Sequence, residues 1–188
     1  GKNRMTVFSR DILADRERRL ELLELLRESV ERGFAGFTIH YQPQVDTVSG
    51  RLCGAEALAR WHCTKYGDVS PGEFIPLMEQ SGLIIPFGQW ILSRGMAQCL
   101  EWCRFRPDFQ ISVNLSYIQL AQGDFISFLR TAVEEHSLAP SKIILELTET
   151  YLAKAEEDTL RMIAQMKELG VKIAMDDFGV GYSSLFSL

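Results

Sequence analysis

Apolar positions along this chain change period several times, and each change marks an element. Residues 15–32 carry Leu20, Leu22, Leu23, Leu25, Leu26 and Val30 at helical spacing, with Gly33 as a stop. Short apolar runs follow. Residues 37–42 and 51–61 read as strands joined by a turn over 46–50, and so short a connection predicts an antiparallel hairpin. Ser70-Pro71-Gly72-Glu73 places an N-cap serine before a proline, with a glutamate three residues on. This predicts a capping box opening a helix over 71–81 that ends near Gly82. A longer helix is predicted over 86–104, with Trp90, Ile91, Met96, Leu100 and Trp102. Strands over 109–115, 142–147 and 171–176 alternate with helices near 123–136 and 153–169, the last ended by Gly170. The chain finishes in a Gly/Ser-rich loop.

Strands separated by helices of about 12–18 residues mean βα units, right-handed crossovers and a mostly parallel sheet. A closed eight-stranded βα barrel takes about 250 residues. The 188 residues here, with five predicted strands, cover a little more than half of one. Residues 1–14 show no clear period, and the start reads as a linker. There is no internal repeat.

Composition narrows the function classes. Charged residues make up 24% of the chain and the net charge is −5, which fits a folded globular domain and argues against a basic surface for long nucleic acids. No apolar stretch approaches a membrane span, and the polar segment GKNRMTVFSRD has no signal-peptide pattern, so no membrane contact is expected from this segment. Cys53, Cys63, Cys99 and Cys103 form no CxxC pair and are expected to be reduced, core or half-buried thiols. A cytoplasmic location follows from that expectation. His40, His62 and His136 show no metal-ligand spacing, and His40 reads as a packing or surface residue.

The chemistry lies in oxygen-bearing residues that close successive apolar runs. Glu56 closes RLCGAE, Asn114 closes FQISVN, Glu146 closes KIILE, and Asp176 with Asp177 closes VKIAMDD. Each acid taken singly reads as a solvated strand end. Jointly they mark a place where a cation collects them, because isolated buried carboxylates are costly. The C-terminal ends of parallel strands are also where βα barrels build their sites. The donors are all hard oxygens, with no His or Cys, which favours Mg²⁺ or Mn²⁺ over zinc. Four carboxylates would be balanced by two divalent ions. Arg60 stands at an even offset from Glu56 and so faces the same side if the strand continues; a guanidinium there can fork onto a phosphate.

Six motifs in order carry a family resemblance. They are Tyr41-Gln42-Pro43, Glu56-Ala57-Leu58-Ala59-Arg60-Trp61, Phe74-Ile75-Pro76, Val113-Asn114-Leu115-Ser116, Glu146-Leu147-Thr148-Glu149 and the segment from Asp176-Asp177-Phe178-Gly179 to Ser184. This series resembles the signature of EAL domains, bacterial phosphodiesterases acting on cyclic di-GMP. The resemblance implies an α/β fold: a (β/α)8 TIM-like barrel of the EAL type, here incomplete, with about five of eight strands and the first strand antiparallel. It implies a domain over 18–188, truncated at its C-terminus, preceded at 1–17 by a linker or the tail of a GGDEF-like domain.

The resemblance also implies two Mg²⁺ or Mn²⁺ ions held by Glu56, Asn114, Glu146, Asp176 and Asp177, with Glu56, Asp176 and Asp177 as the catalytic set and Asp176 as the bridge. Gln42, Leu58, Arg60, Pro76, Asp177, Phe178 and Gly179 would contact cyclic di-GMP. Glu149 and Ser183 would support the loop after the paired aspartates, a loop that in the family couples metal binding to homodimer formation. Val180 departs from the usual Thr or Ala there. The family's later Lys, Glu and Gln would lie beyond Leu188, so hydrolysis to linear pGpG is expected of the parent protein and not of this chain alone. The competing expectations are a sensor that binds cyclic di-GMP without hydrolysis, and an unrelated βα scaffold.

Overall fold

The structure, a computed structural model, describes residues 10–122, 124–148 and 157–176. In chain order these form α1 (Arg10–Glu31), β1 (Phe37–Val45), β2 (Leu52–Cys63), β3 (Gly67–Val69), α2 (Pro71–Ser81), α3 (Ile84–Cys103), β4 (Gln110–Asn114), α4 (Tyr117–Gln122) and α5 (Phe125–His136). A 3-10 turn (Pro140–Lys142), β5 (Ile143–Thr148), α6 (Glu157–Glu168) and β6 (Lys172–Asp176) follow. One sheet takes the order β1-β2-β4-β5-β6, with β3 paired to β2. β1 and β3 run antiparallel to β2, whereas β2, β4, β5 and β6 are mutually parallel. The architecture is an arc of a β/α barrel with an antiparallel first strand, as the sequence predicts. The elements that periodicity does not reveal are β3, α4 and the 3-10 turn. They are 3, 6 and 3 residues long, too short to establish a period.

Alternation along the strands divides the sheet into two faces. One face carries Ala55, Ala57, Ala59 and Trp61 of β2, Ile111 and Val113 of β4, and Ile143, Leu145 and Leu147 of β5, all buried. α3 packs directly on this face. Gly95 lets it approach, since a Cβ there would stand only 3.4 Å from Ile111 and 3.5 Å from Val113. At the β1–β2 end the Phe37 ring stacks on Trp61 at 5.6 Å, and Phe74 of α2 meets Phe37 edge-on at 5.6 Å. Such pairs add stability beyond the area they bury. α1 joins through Leu22 and Leu26, both fully buried. It is one continuous helix across residues 17 and 18, where sequence reading places the start of the domain.

Local signals hold with one exception. Asp46 Oδ1 accepts from Ser49 N at 2.7 Å to close the hairpin turn, and Gly82 ends α2 in the left-handed conformation at φ 77°. The capping box is only half made. Ser70 accepts from Gly72 N at 3.3 Å, but Glu73 turns away to Arg18 of α1, whose guanidinium meets it at 2.7 and 3.2 Å. A forked ion pair to a distant helix outcompetes the local cap. All four cysteines are free, as expected. Cys53 is exposed rather than half-buried, because it precedes the part of β2 that is covered. Among the described residues no helix is long and apolar enough to cross a membrane.

Gly36 joins α1 to β1 with φ 84°, and its missing Cβ would stand 2.4 Å from the His62 carbonyl oxygen. Gly36→Ala is therefore expected to lose about 3 kcal/mol or more in urea unfolding, from left-handed strain added to a backbone clash.

Candidate functional site

Strand register assembles the site. Glu56 of β2 pairs in register with Ser112 of β4, Asn114 of β4 with Glu146 of β5, and Thr148 of β5 with Asp176 of β6. Side chains alternate with a period of two, so residues in register share a face. Glu56, Asn114, Glu146 and Asp176 therefore lie together on the face away from the helix-covered core. The row climbs by two residues from Glu56 to Asn114 and again from Glu146 to Asp176. That climb is the stagger of tilted strands in a barrel wall. Gln42 pairs with Glu56 from β1 and faces the same side.

One expectation needs correcting. Glu56 does not close its strand: β2 continues to Cys63. Its ladder with β4 stops at Ala57, and from Trp61 onward β3 takes that edge. The glutamate stands where parallel pairing ends, in mid-strand. The continued strand puts Leu58 and Arg60 on its own face, half-buried between the buried Ala57, Ala59 and Trp61.

Asn114 Nδ2 donates to Glu56 Oε1 at 2.7 Å, which leaves the amide oxygen as the donor atom for a cation. The loop beyond Asn114 is fixed. Leu115 N donates to Glu146 O at 2.9 Å, and Ser116 Oγ donates to Glu79 Oε1 at 2.6 Å. A cavity of about 290 Å³ adjoins the row, lined among others by Leu58, Arg60, Ile75, Glu79, Asn114 and Glu146. Arg60 Nη1 donates to the carbonyl of Ala59 at 2.8 Å. Pro76 lies half-buried within α2, whose Pro71, Ile75 and Glu79 line the cavity. Asp177, Phe178, Gly179, Val180, Ser183 and Glu149 lie outside the described residues.

Burial raises the Glu146 carboxyl above its ordinary range, and the charges of Glu56 and Asp176 raise it further, while hydrogen bonds from Ser112 and Gln44 oppose the shift. Neither Ser112 nor Gln44 is singled out by the sequence. The one available signal is the even offset of Ser112 from Asn114, which puts a hydroxyl on the ligand face of β4 between Gln110 and Asn114. Among the described residues no three His, Cys, Asp or Glu side chains converge closely enough to hold an ion as they stand. The donor set nevertheless fits a hard divalent cation in chemistry and in facing. Three mutually repelling carboxylates and one amide oxygen are what such a charge draws together.

A raised carboxyl costs stability once it ionises. The Glu146 cost is absent below the unfolded carboxyl range and complete once pH has risen through the folded value. Metal-free Glu146→Gln is thus expected to melt above the unsubstituted chain at pH 7, with the difference closing near pH 4, as read by thermal unfolding.

Comparison with known proteins places this geometry. The model of the EAL domain matches residues 24–188. The bifunctional diguanylate cyclase/cyclic di-GMP phosphodiesterase MucR of Pseudomonas aeruginosa is 39% identical over 189 residues, covering 100% of this chain and 27% of MucR. The solved PaMucR phosphodiesterase in complex with c-di-GMP gives a TM-score of 0.79 at 41% identity, over 87% of this chain and 66% of that one. The EAL enzyme Bd1971, bound to cAMP and cyclic-di-GMP, gives 0.80 at 30% identity, over 91% of this chain and 47% of its own.

Proposed function

The chain belongs to the EAL domain family, and from that premise we propose that it forms the ligand-gripping and metal-holding part of a phosphodiesterase centre for cyclic di-GMP. The reaction is hydrolysis of one 3′–5′ phosphodiester to linear pGpG. The observation that carries this reading is the strand register that sets Glu56, Asn114, Glu146 and Asp176 on one face beside a cavity bearing Arg60. Similarity to MucR and to the PaMucR and Bd1971 complexes supports the choice of ligand.

The roles follow from the chemistry of the side chains. Glu56, Asn114, Glu146 and Asp176, with Asp177 next to Asp176, would hold two Mg²⁺ or Mn²⁺ ions. Bound divalent ions supply a lowered water pKa and neutralise charge on the phosphate oxygens. Arg60 forks onto a phosphate, a geometry that a planar guanidinium holds better than an ammonium. Leu58 and Pro76 offer apolar surface to the ligand, and Gln42 offers an amide from β1. Asn114, held by Glu56, keeps its oxygen aimed along the ligand row. Phe178 and Gly179 would contact the ligand, and Glu149 and Ser183 would support the loop after the paired aspartates. Signalling in the bacterial cytoplasm, an upstream GGDEF partner domain over or before residues 1–17, and a homodimer through the EAL domain complete the proposal.

The test is incubation of the protein that carries this domain with cyclic di-GMP and Mg²⁺. The expected product is pGpG, lost on chelation and restored by Mn²⁺; ligand binding without product in the presence of metal would instead make this a sensor. Glu56→Ala is expected to lower kcat at least a thousandfold, and near-normal turnover would contradict its role as a ligand. Arg60→Ala is expected to raise KM about 10-fold or more, through loss of a charge-assisted pair.

A further inference from the structure

β1 and β4 are not neighbours in the sheet, since β2 lies between them, yet a β1 side chain reaches β4. Gln44 Nε2 donates to Ser112 Oγ at 3.1 Å, and Gln44 Oε1 lies 3.3 Å from the same oxygen. The route crosses Gly54, the register partner of Gln44 in β1–β2 and of Gln110 in β2–β4. A Cβ at Gly54 would stand 3.1 Å from Gln44 Oε1 and 2.8 Å from the Gln110 carbonyl oxygen. The glycine thus opens the gap through which the glutamine passes.

The far end of this bridge is sealed. Ser112 is only 1% exposed, a hydroxyl on a strand whose neighbours Ile111 and Val113 are core. It pairs in register with Glu56 on one side and with Ile144, two residues before Glu146, on the other. Ser112 therefore stands on the same face as Glu146, one diagonal step away, and hydrogen bonding from Ser112 and Gln44 counters the rise that burial gives the Glu146 carboxyl. The serine hydroxyl has one proton to give, with Gln44 Oε1 3.3 Å away and the Glu146 carboxylate on the neighbouring strand. The carboxylate is the stronger acceptor, so the proton goes to Glu146 and Ser112 accepts from Gln44 Nε2.

We propose that Gln44, Ser112 and the gap at Gly54 form a buried polar floor that positions Glu146 for a divalent cation, with Gln44 and Ser112 acting as positioning residues. The inference rests on the metal-binding reading above and deepens it. A ligating carboxylate has two oxygens. Donors beneath one fix its rotamer and leave the other facing the ion, as outer hydrogen-bond partners do around metal sites generally. Gln44 suits the task because it brings a donor to a half-buried acid without adding charge.

The experiment is Mn²⁺ titration of the folded protein by calorimetry, with the electron paramagnetic resonance of free Mn²⁺ as a second readout. Ser112→Ala and Gln44→Leu are each expected to weaken Mn²⁺ binding about 10-fold or more. Ser112→Thr, which keeps the hydroxyl, should bind within about threefold of the unsubstituted protein. Thermal unfolding without metal checks that each variant is folded. Unchanged Mn²⁺ affinity in folded Ser112→Ala, or Ser112→Thr as weak as Ser112→Ala, would overturn the positioning role and leave the metal site intact. No Mn²⁺ binding by the unsubstituted protein would overturn both readings.

Discussion

Parallel register between β2, β4, β5 and β6 is the constraint on which the site depends. Because the side-chain period in a strand is two, sliding β5 by one residue along β4 would send Glu146 into the helix-packed core and bring Leu145 or Leu147 to the ligand face. The fold blocks that slip from the other side. Ile143, Leu145 and Leu147 are buried with Ile111 and Val113 beneath the helices, and exposing them would cost about 1.5–3 kcal/mol each. The apolar half of each strand therefore fixes where its polar half points. Site geometry is a by-product of core packing, which explains why oxygen donors so far apart in sequence share one face.

Charge gives the arrangement its direction. Burial raises the cost of ionising Glu146, and the charges of Glu56 and Asp176 add to it. Asn114 interrupts the carboxylate row with an amide that donates to Glu56. It lowers the density of negative charge while still offering an oxygen. Such a surface is costly alone and a divalent cation would relieve it, so metal binding would be linked to local order. Around this row the Arg60 guanidinium supplies the positive charge that a phosphate would meet.

Much of this was legible in sequence, unevenly. The hairpin, the βα alternation and the facing of Asn114, Glu146 and Asp176 follow from apolar runs that end in oxygen-bearing residues. Glu56 was placed inside a strand over 51–61 yet read as closing its apolar run, because that run looks complete at residue 56. The pairing of Trp61 with β3 that prolongs β2 leaves no periodic trace. Glu73 has the spacing of a capping residue, yet its partner is Arg18, 55 positions away, which no local pattern encodes. Gln44 and Ser112 escaped for the same reason. Their bond crosses an intervening strand through the space above Gly54, and only the assembled sheet shows that space.

Paramagnetic broadening in the NMR spectrum of the folded protein tests the central claim most directly. At substoichiometric Mn²⁺ the signals of Glu56, Asn114, Glu146 and Asp176 are expected to broaden together and first, with the loss falling off with distance along each of the four strands. Broadening confined to one of the four strands, or centred on exposed acids elsewhere such as Asp46, would contradict a shared cation site.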